Sequence, residues 1–337
     1  MRTRRRIQGE TAPHVGCMTE ILFIKTSSMG DVLHHLPAVT DARRRFPNAR
    51  FSWVVDELYA PIASLHPAID EVVPIAVRRW RKRLLELPTW NEVRDATSKL
   101  RSRHYDAVID TQGLVRTALM TKLIHGASHG YDADSIREPF ASRFYDNSYT
   151  VSRDLHAIAR NRALTGLALG YEPEGAPDYS LNGRVANRDA RTPYAILLHA
   201  TSRTDKEWPE DRWIEIGKRL AAGGVEILLP WGNDAEHERS KRLAAEIPNA
   251  QIPAFTPIAE IGGMIAGAQL VVGVDTGLLH LAAALGIPIV GIYAAARSQM
   301  TTPQGPGAIE IVAGPDGIPS TLDVQAAVDR ISEGRAA

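Results

Sequence analysis

The 337-residue sequence predicts an α/β protein of two domains, each a parallel sheet with helices on both faces. Three observations predict it. The strand-like runs are continuously apolar, the pattern of strands buried on both sides. They alternate with helical stretches along the chain. They also fall into two series separated by residues 171–193, "YEPEGAPDYSLNGRVANRDARTP", a stretch rich in Pro, Gly, Asp and Asn with no period.

In the first series "EILFIK", "FSWVVD", "EVVPI" and "DAVID" (106–110) read as strands, and a helix covers about 154–169. These elements make a first domain over 18–175, joined by a linker at 176–193. The second series, "YAILLHA", "VEILLP", "AQLVVGVD" and "IPIVGIY", makes a second domain over 194–318. A last helix, about 319–334, is expected to pack back on the first domain. The run "LLHLAAALGIPIVGIYAAA" (278–296) approaches the roughly 20 residues of a membrane span. Gly286 and Pro288 interrupt it, so it reads as helix then strand.

Composition excludes more than it asserts. Lys plus Arg and Asp plus Glu number 39 each, so net charge carries no footprint of nucleic acid or membrane. The single cysteine, Cys17, excludes an internal disulfide and a Cys-rich zinc site, and fits a reducing compartment. The opening "MRTRRRIQGETAPHVGC" is basic but lacks the apolar core of an export signal. We read residues 1–17 as a disordered extension, with Met18 as the natural start.

Chemistry-bearing residues gather at strand ends, where ligands bind in open α/β sheets. After the first strand comes "KTSSMGD": the turn lacks the three glycines of a dinucleotide fold, which disfavours a dehydrogenase, and it presents a carboxylate, Asp31. A plain N-cap is one reading of that residue. In "HATSRTDKEWP", Thr201, Ser202 and Lys206 can surround a phosphate, or form an ordinary turn. In "GVDTGLLHL", Asp275, Thr276 and Gly277 open a helix whose first turn holds His280. Its free N–H groups suit an anion, and its first residues also suit a simple cap. Glu236 in "LLPWGNDAEHER" can accept bonds from ribose hydroxyls or stand as an exposed helical acid.

The run "VRRWRKR" (77–83) sets five cations, Arg78, Arg79 and Arg81 among them, around Trp80. Neutral overall charge and the absence of a binding motif weigh against nucleic acid; an acidic lipid head group fits as well. Metal finds little support. "DAD" (132–134) is a three-letter match, His34 and His35 are adjacent rather than four apart, and no HExxH, Walker A or GxSxG element exists.

Taken together, "KTSSMGDVLHHLPA", "RRWRK", "HATSRTDKEWP" and "VDTGLLHL" resemble the ADP-heptose-dependent heptosyltransferases of lipopolysaccharide inner-core synthesis. The likeness runs from about Met18 to the last helix, and the "KTSSMGD" form is similar to the first heptosyltransferase rather than the second. Ser202 stands where a second threonine often occurs, and residues 1–17 are extra.

The resemblance implies a GT-B fold, two Rossmann-like domains facing a cleft, the first binding acceptor and the second ADP-heptose. It implies inverting transfer of L-glycero-D-manno-heptose to a Kdo of Kdo2-lipid A, without metal or other cofactor, at the cytoplasmic face of the inner membrane. Asp31 would then be the general base, with Ser27, Ser28, Gly30 and the three arginines toward the acceptor. Thr201, Ser202, Lys206, Glu236, Asp275, Thr276, Gly277 and His280 would hold the donor. A nucleotide-sugar epimerase or hydrolase on the same fold, and a nucleotide-sensing regulator without turnover, are the competing readings; an acceptor requirement separates them.

Overall fold

The computed structural model describes residues 19–181, 183–185, 192–201, 207–293, 299–314 and 318–336. The 1–17 extension, Met18, Ser202 and Lys206 lie outside them. The first domain runs β1 (Glu20–Ile24), α1 (Met29–Leu33), α2 (Leu36–Arg45), β2 (Arg50–Asp56), α3 (Ala60–Leu65), β3 (Glu71–Ile75), α4 (Val77–Trp80) and α5 (Leu87–Arg101). It continues through β4 (His104–Asp110), α6 (Val115–Thr121), β5 (His125–Tyr131), β6 (Asn147–Tyr149) and α7 (Ala157–Leu169). The second domain opens with β7 (Tyr194–Leu198), α8 (Glu210–Ala222), β8 (Glu226–Leu228), α9 (Asp234–Glu246) and β9 (Ala250–Gln251). It closes with α10 (Ile258–Ala266), β10 (Leu270–Val274), α11 (Gly277–Ala284), β11 (Ile289–Tyr293), β12 (Ile309–Ala313) and α12 (Thr321–Ala336).

Both sheets are parallel. Their orders are β3-β2-β1-β4-β5-β6 and β12-β11-β10-β7-β8-β9. In each, the order reverses beside a central strand: between β1 and β4, and between β7 and β10. Loops leaving the two strands at such a point diverge to opposite faces and leave a crevice at their carboxyl ends. This places the loops after Ile24, Asp110, Leu198 and Val274 where a site must form. The central strands carry buried apolar runs because helices cover both faces; Ile21, Leu22, Phe23 and Ile24 are fully buried, as are Val271 and Val272.

Four strands were not anticipated: β5, β6, β9 and β12. β5, "HGASHGY", has glycines and histidines where β-branched residues would signal a strand, and β6 and β9 are only three and two residues long.

The expected packing of the last helix is corrected. α12 lies on β11, β12 and α8 of its own domain. Val324, Ala327, Val328 and Ile331 form a helical stripe that joins the second core. The approach is fixed by Trp208 Nε1 and Arg212 Nη1, which donate to the Pro319 carbonyl at 2.9 and 2.6 Å.

The first part of the connection between domains, residues 171–181, is anchored more firmly than its composition suggests. Arg162 of α7 forms a buried fork with Asp41 of α2 (2.6 and 3.3 Å) and donates to the carbonyls of Glu174 and Gly175. Tyr179, also buried, donates to the Gln304 carbonyl at 2.7 Å. Between the domains α1 packs on α11 and α3 on α10, and one apolar cluster includes Val32 and Leu33 together with Leu279 and Leu281. No helix among the described residues is long and apolar enough to cross a membrane.

Candidate active site

The loop after β1 is held from β4. Gln112 Oε1 accepts from the Thr26 and Ser27 N–H groups at 2.8 and 3.0 Å, across the first switch point. α1 begins at Met29, so Ser28 occupies the N-cap and Asp31 the third helical position. The plain N-cap reading of Asp31 is thereby corrected. Its Oδ2 accepts from Ser28 N at 2.6 Å and Ser28 Oγ at 3.1 Å, the reciprocal arrangement of a capping box. Oδ1 makes no hydrogen bond among the described residues, and Asp31 borders a cavity of about 150 Å³, which is also lined by Lys25, Gln112, Tyr131, Arg137 and Arg160. A larger, open cavity of about 530 Å³ adjoins it through Arg137 and Arg160 and is also lined by Arg153 and, from the second domain, by Met300 and Thr301.

Lys25, Gln112, Arg137 and Arg160 were not singled out in the sequence. Lys25 carried a signal, a cation ending an apolar strand; the arginines carried none. Lys25 is buried and donates to the Thr111 carbonyl at 3.0 Å. Burial lowers its pKa, while the charges of Asp31 and Asp110 act in the opposite direction. Asp110, buried behind it, accepts from Tyr145 Oη at 2.8 Å and from Gln112 N at 2.8 Å; burial raises its pKa. The cavity thus sets the Asp31 carboxylate among the cations of Lys25, Arg137 and Arg160.

At the second switch point, Thr276 takes the N-cap of α11 in extended conformation, without a side-chain capping bond. That leaves the positive end of the helix available to an anion. Thr201 Oγ1 donates to the Asp275 carbonyl at 3.3 Å, joining the loops after β7 and β10. Ser202 and Lys206 fall outside the described residues.

Two glycines and a histidine have a different setting from the one their positions suggested. A Cβ on Gly30 would stand 3.3 Å from His280 Cδ2, and one on Gly277 would stand 2.7 Å from Met29 Cβ and Sδ. The close approach these glycines permit is therefore made by the facing domain. His280 is itself buried, with Nδ1 3.1 Å from His34 Nε2 and Nε2 3.9 Å from Asp275 Oδ1.

Glu236 closes its own loop, accepting from Gly232 N at 2.8 Å and Asn233 Nδ2 at 2.7 Å. Beside it Trp231 stacks on His237, ring centroids 4.1 Å apart, and Phe255 leans on Trp231. Of the three arginines, Arg79 is clamped by Glu57 (3.1 and 2.8 Å) and Glu92 (3.0 Å). Arg78 stays largely exposed with Asp56 at 4.0 Å, and Arg81 is exposed. "DAD" is a loop whose Asp132 accepts from Ser135 N at 2.9 Å and from Thr150 Oγ1. Among the described residues no group of three His, Cys, Asp or Glu is placed to hold a metal ion.

Two Rossmann-like sheets meeting across a cleft, a carboxylate at one switch point and a helix N-terminus at the other, define the GT-B class of proteins. Comparison with known proteins narrows the class. The family described as glycosyltransferase family 9 (heptosyltransferase) matches residues 93–320. Lipopolysaccharide heptosyltransferase 1 of Escherichia coli O18:K1:H7 (strain RS218 / NMEC) is 45% identical over 278 residues, 81% of this chain and 85% of that protein. The solved E. coli heptosyltransferase WaaC with ADP superposes with TM-score 0.87 at 40% identity, covering 94% of this chain and 99% of that one. The same enzyme with ADP-2-deoxy-2-fluoro heptose gives TM-score 0.85 at 41% identity, over 94% and 100%. The chain belongs to glycosyltransferase family 9, the heptosyltransferases, and is a glycosyltransferase of lipopolysaccharide heptose transfer.

Proposed function

We propose that the protein moves L-glycero-D-manno-heptose from ADP-heptose to the first Kdo of Kdo2-lipid A, with inversion at the anomeric carbon. The observation that carries the reading is the position of Asp31: a carboxylate with one unengaged oxygen, on a cavity beside the helix that packs against the mouth of α11. Asp31 takes the proton of a Kdo hydroxyl as its oxygen bonds to the heptose C1. The bond from C1 to the ADP oxygen breaks on the opposite face, and ADP leaves with the electron pair. Its charge is met by the N-terminus of α11, Thr201, Ser202 and Lys206, a set that needs no metal. The two E. coli structures named for ADP and its fluoroheptose analogue support this donor.

Arg137, Arg153 and Arg160 suit the acceptor's carboxylates and phosphates, since a guanidinium fork matches both. Glu236 and the Trp231–His237 stack suit a ribose and an adenine. Asp275 stands at the mouth of α11 for the donor's sugar or phosphates, and Ser27 and Ser28 border the acceptor side.

ADP release from ADP-heptose, with and without Kdo2-lipid A, tests the proposal. Release that requires acceptor, with an α-to-β or β-to-α change at C1 by NMR, is the expected result. Release at the same rate without acceptor would make the protein a hydrolase, and retention at C1 would remove the single displacement.

A further inference from the structure

We propose that residues 77–90 form a bilayer-docking surface, with leucines entering the acyl layer of an anionic membrane and cations meeting its head groups. Leu84, Leu85, Leu87 and Trp90 are 53, 100, 79 and 55% exposed, four large apolar side chains within seven residues. Residues 81–88 are exposed without interruption. Scattered exposed leucines need no explanation, but such a cluster marks an interaction site.

The segment is held in place while its apolar side chains are left outside. Arg79 is forked onto Glu57 and Glu92, and Trp80 Nε1 donates to Glu92 at 2.8 Å. Trp90 Nε1 donates to the Leu84 carbonyl at 2.8 Å, so its polar atom is satisfied and its ring faces outward. Arg78, Arg81, Lys82 and Arg83 flank the leucines and are all largely exposed or partly so. Arg83 has Glu86 at 3.6 Å; Arg81 and Lys82 make no ion pair among the described residues.

Charge complementarity selects the occupant. Cations bordering leucines, with an amphipathic tryptophan at the margin, are the chemistry of a segment lying in the interface of an anionic bilayer. Long cationic side chains can lie along the apolar surface and keep their charge among the head groups.

Position adds a consequence. The segment follows β3, two strands from β1 at the same carboxyl edge as Asp31, a lateral step of roughly 10 Å. Docking here sets the cleft at the membrane surface; that consequence rests on the lipid-linked acceptor proposed above, whereas the docking itself does not.

The full chain is sedimented with vesicles of phosphatidylglycerol and phosphatidylethanolamine containing no acceptor, and with phosphatidylcholine vesicles. Binding to the anionic vesicles is expected, weakening with salt. The variant Leu84→Asn, Leu85→Asn, Leu87→Asn should partition roughly tenfold or more less with unchanged melting temperature. Brominated acyl chains should quench Trp90, and Trp90→Phe should lose that quenching. The triple variant should turn over a delipidated Kdo acceptor like the parent.

Parent-like vesicle binding by the triple variant, or no Trp90 quenching, would overturn the proposal. So would a parent that sediments as a dimer and a triple variant that is monomeric, since a second copy would then cover the patch. Vesicle binding without any heptose transfer would leave the docking surface standing and remove the proposed reaction.

Discussion

His34 Nε2 lies 3.1 Å from His280 Nδ1, across the boundary between the two domains. One nitrogen must donate and the other accept, so a single N–H serves the contact. His156 adds a third imidazole, its ring 5.5 Å from that of His34; its Nε2 donates to the Thr302 carbonyl at 2.9 Å, while its Nδ1 accepts from Ile158 N. Burial, then His280, His156 and Lys25, holds the His34 pKa well below the usual histidine value, with Asp275 acting in the opposite direction. His34 Nδ1 has no hydrogen-bond partner among the described residues. A proton on this ring would place an unpaired charge in the domain contact.

Stability should therefore fall with acid. An unfolded histidine titrates near 6.5, whereas folded His34 and His35 stay neutral far below that, and His66, His129 and His199 are pushed to about 4, burial being the largest cause in each. Below about pH 6.5 the unfolded chain binds more protons, so stability is complete above that pH and is lost progressively down through the folded values. Urea unfolding at pH 7.5 and 5.5 should show the loss. His34→Asn should reduce its slope by up to about 1.4 kcal/mol per pH unit, one proton's worth. An unaltered slope would clear His34 of the effect.

Gly277→Ala tests the contact from its other side. The added methyl would meet Met29 Cβ and Sδ at 2.7 Å, closer than carbon atoms tolerate. Overpacking of this kind costs about 1–3 kcal/mol, and turnover should fall with stability as α1 and α11 are pushed apart. Met29→Ala in the same chain should recover most of both. Without recovery, the strain lies elsewhere.

The three arginines of 77–83 should behave differently from one another. Arg78→Ala with Arg81→Ala removes exposed cations and should raise the acceptor's KM and flatten its salt dependence, leaving donor binding by calorimetry unchanged. Arg79→Ala breaks a two-carboxylate clamp and should loosen the 77–92 segment, read as faster amide exchange there. The same phenotype from all three would make them one binding patch.

The pattern of the sheets was legible because burial on both faces demands continuous apolar runs, as in "EILFIK" and "AQLVVGVD". Strand ends then located Asp31, Thr201, Asp275 and Glu236 without any knowledge of tertiary contacts. What stayed hidden depended on the partner domain. Gly30, Gly277 and His280 sit at ligand-like positions, yet their neighbours are His280, Met29 and His34, more than two hundred residues away in the chain. Arg137 lies in a loop and Arg160 on an anticipated helix, neither within a motif that marks it, and α12 carries an apolar stripe that fits either domain equally well on sequence grounds.

The proposed cradle for the leaving group is tested by Lys206→Ala, which should weaken ADP binding and slow turnover if the lysine is a charge-assisted partner of the pyrophosphate, as proposed. Activity should persist in excess EDTA. A strict divalent requirement would return attention to Asp132 and Asp134 and contradict a metal-free cradle.

The central claim is that Asp31 removes the acceptor proton, and Asp31→Asn with measured ADP release tests it most directly. Asparagine keeps the side chain's size and, through its carbonyl oxygen, the bonds from Ser28, so fold and ADP-heptose affinity should hold. Turnover with Kdo2-lipid A should fall about 10²–10⁴-fold, the size of a general-base contribution. Near-normal turnover in a variant of unchanged fold and donor affinity would contradict the claim and leave Asp31 as the closing residue of a capping box.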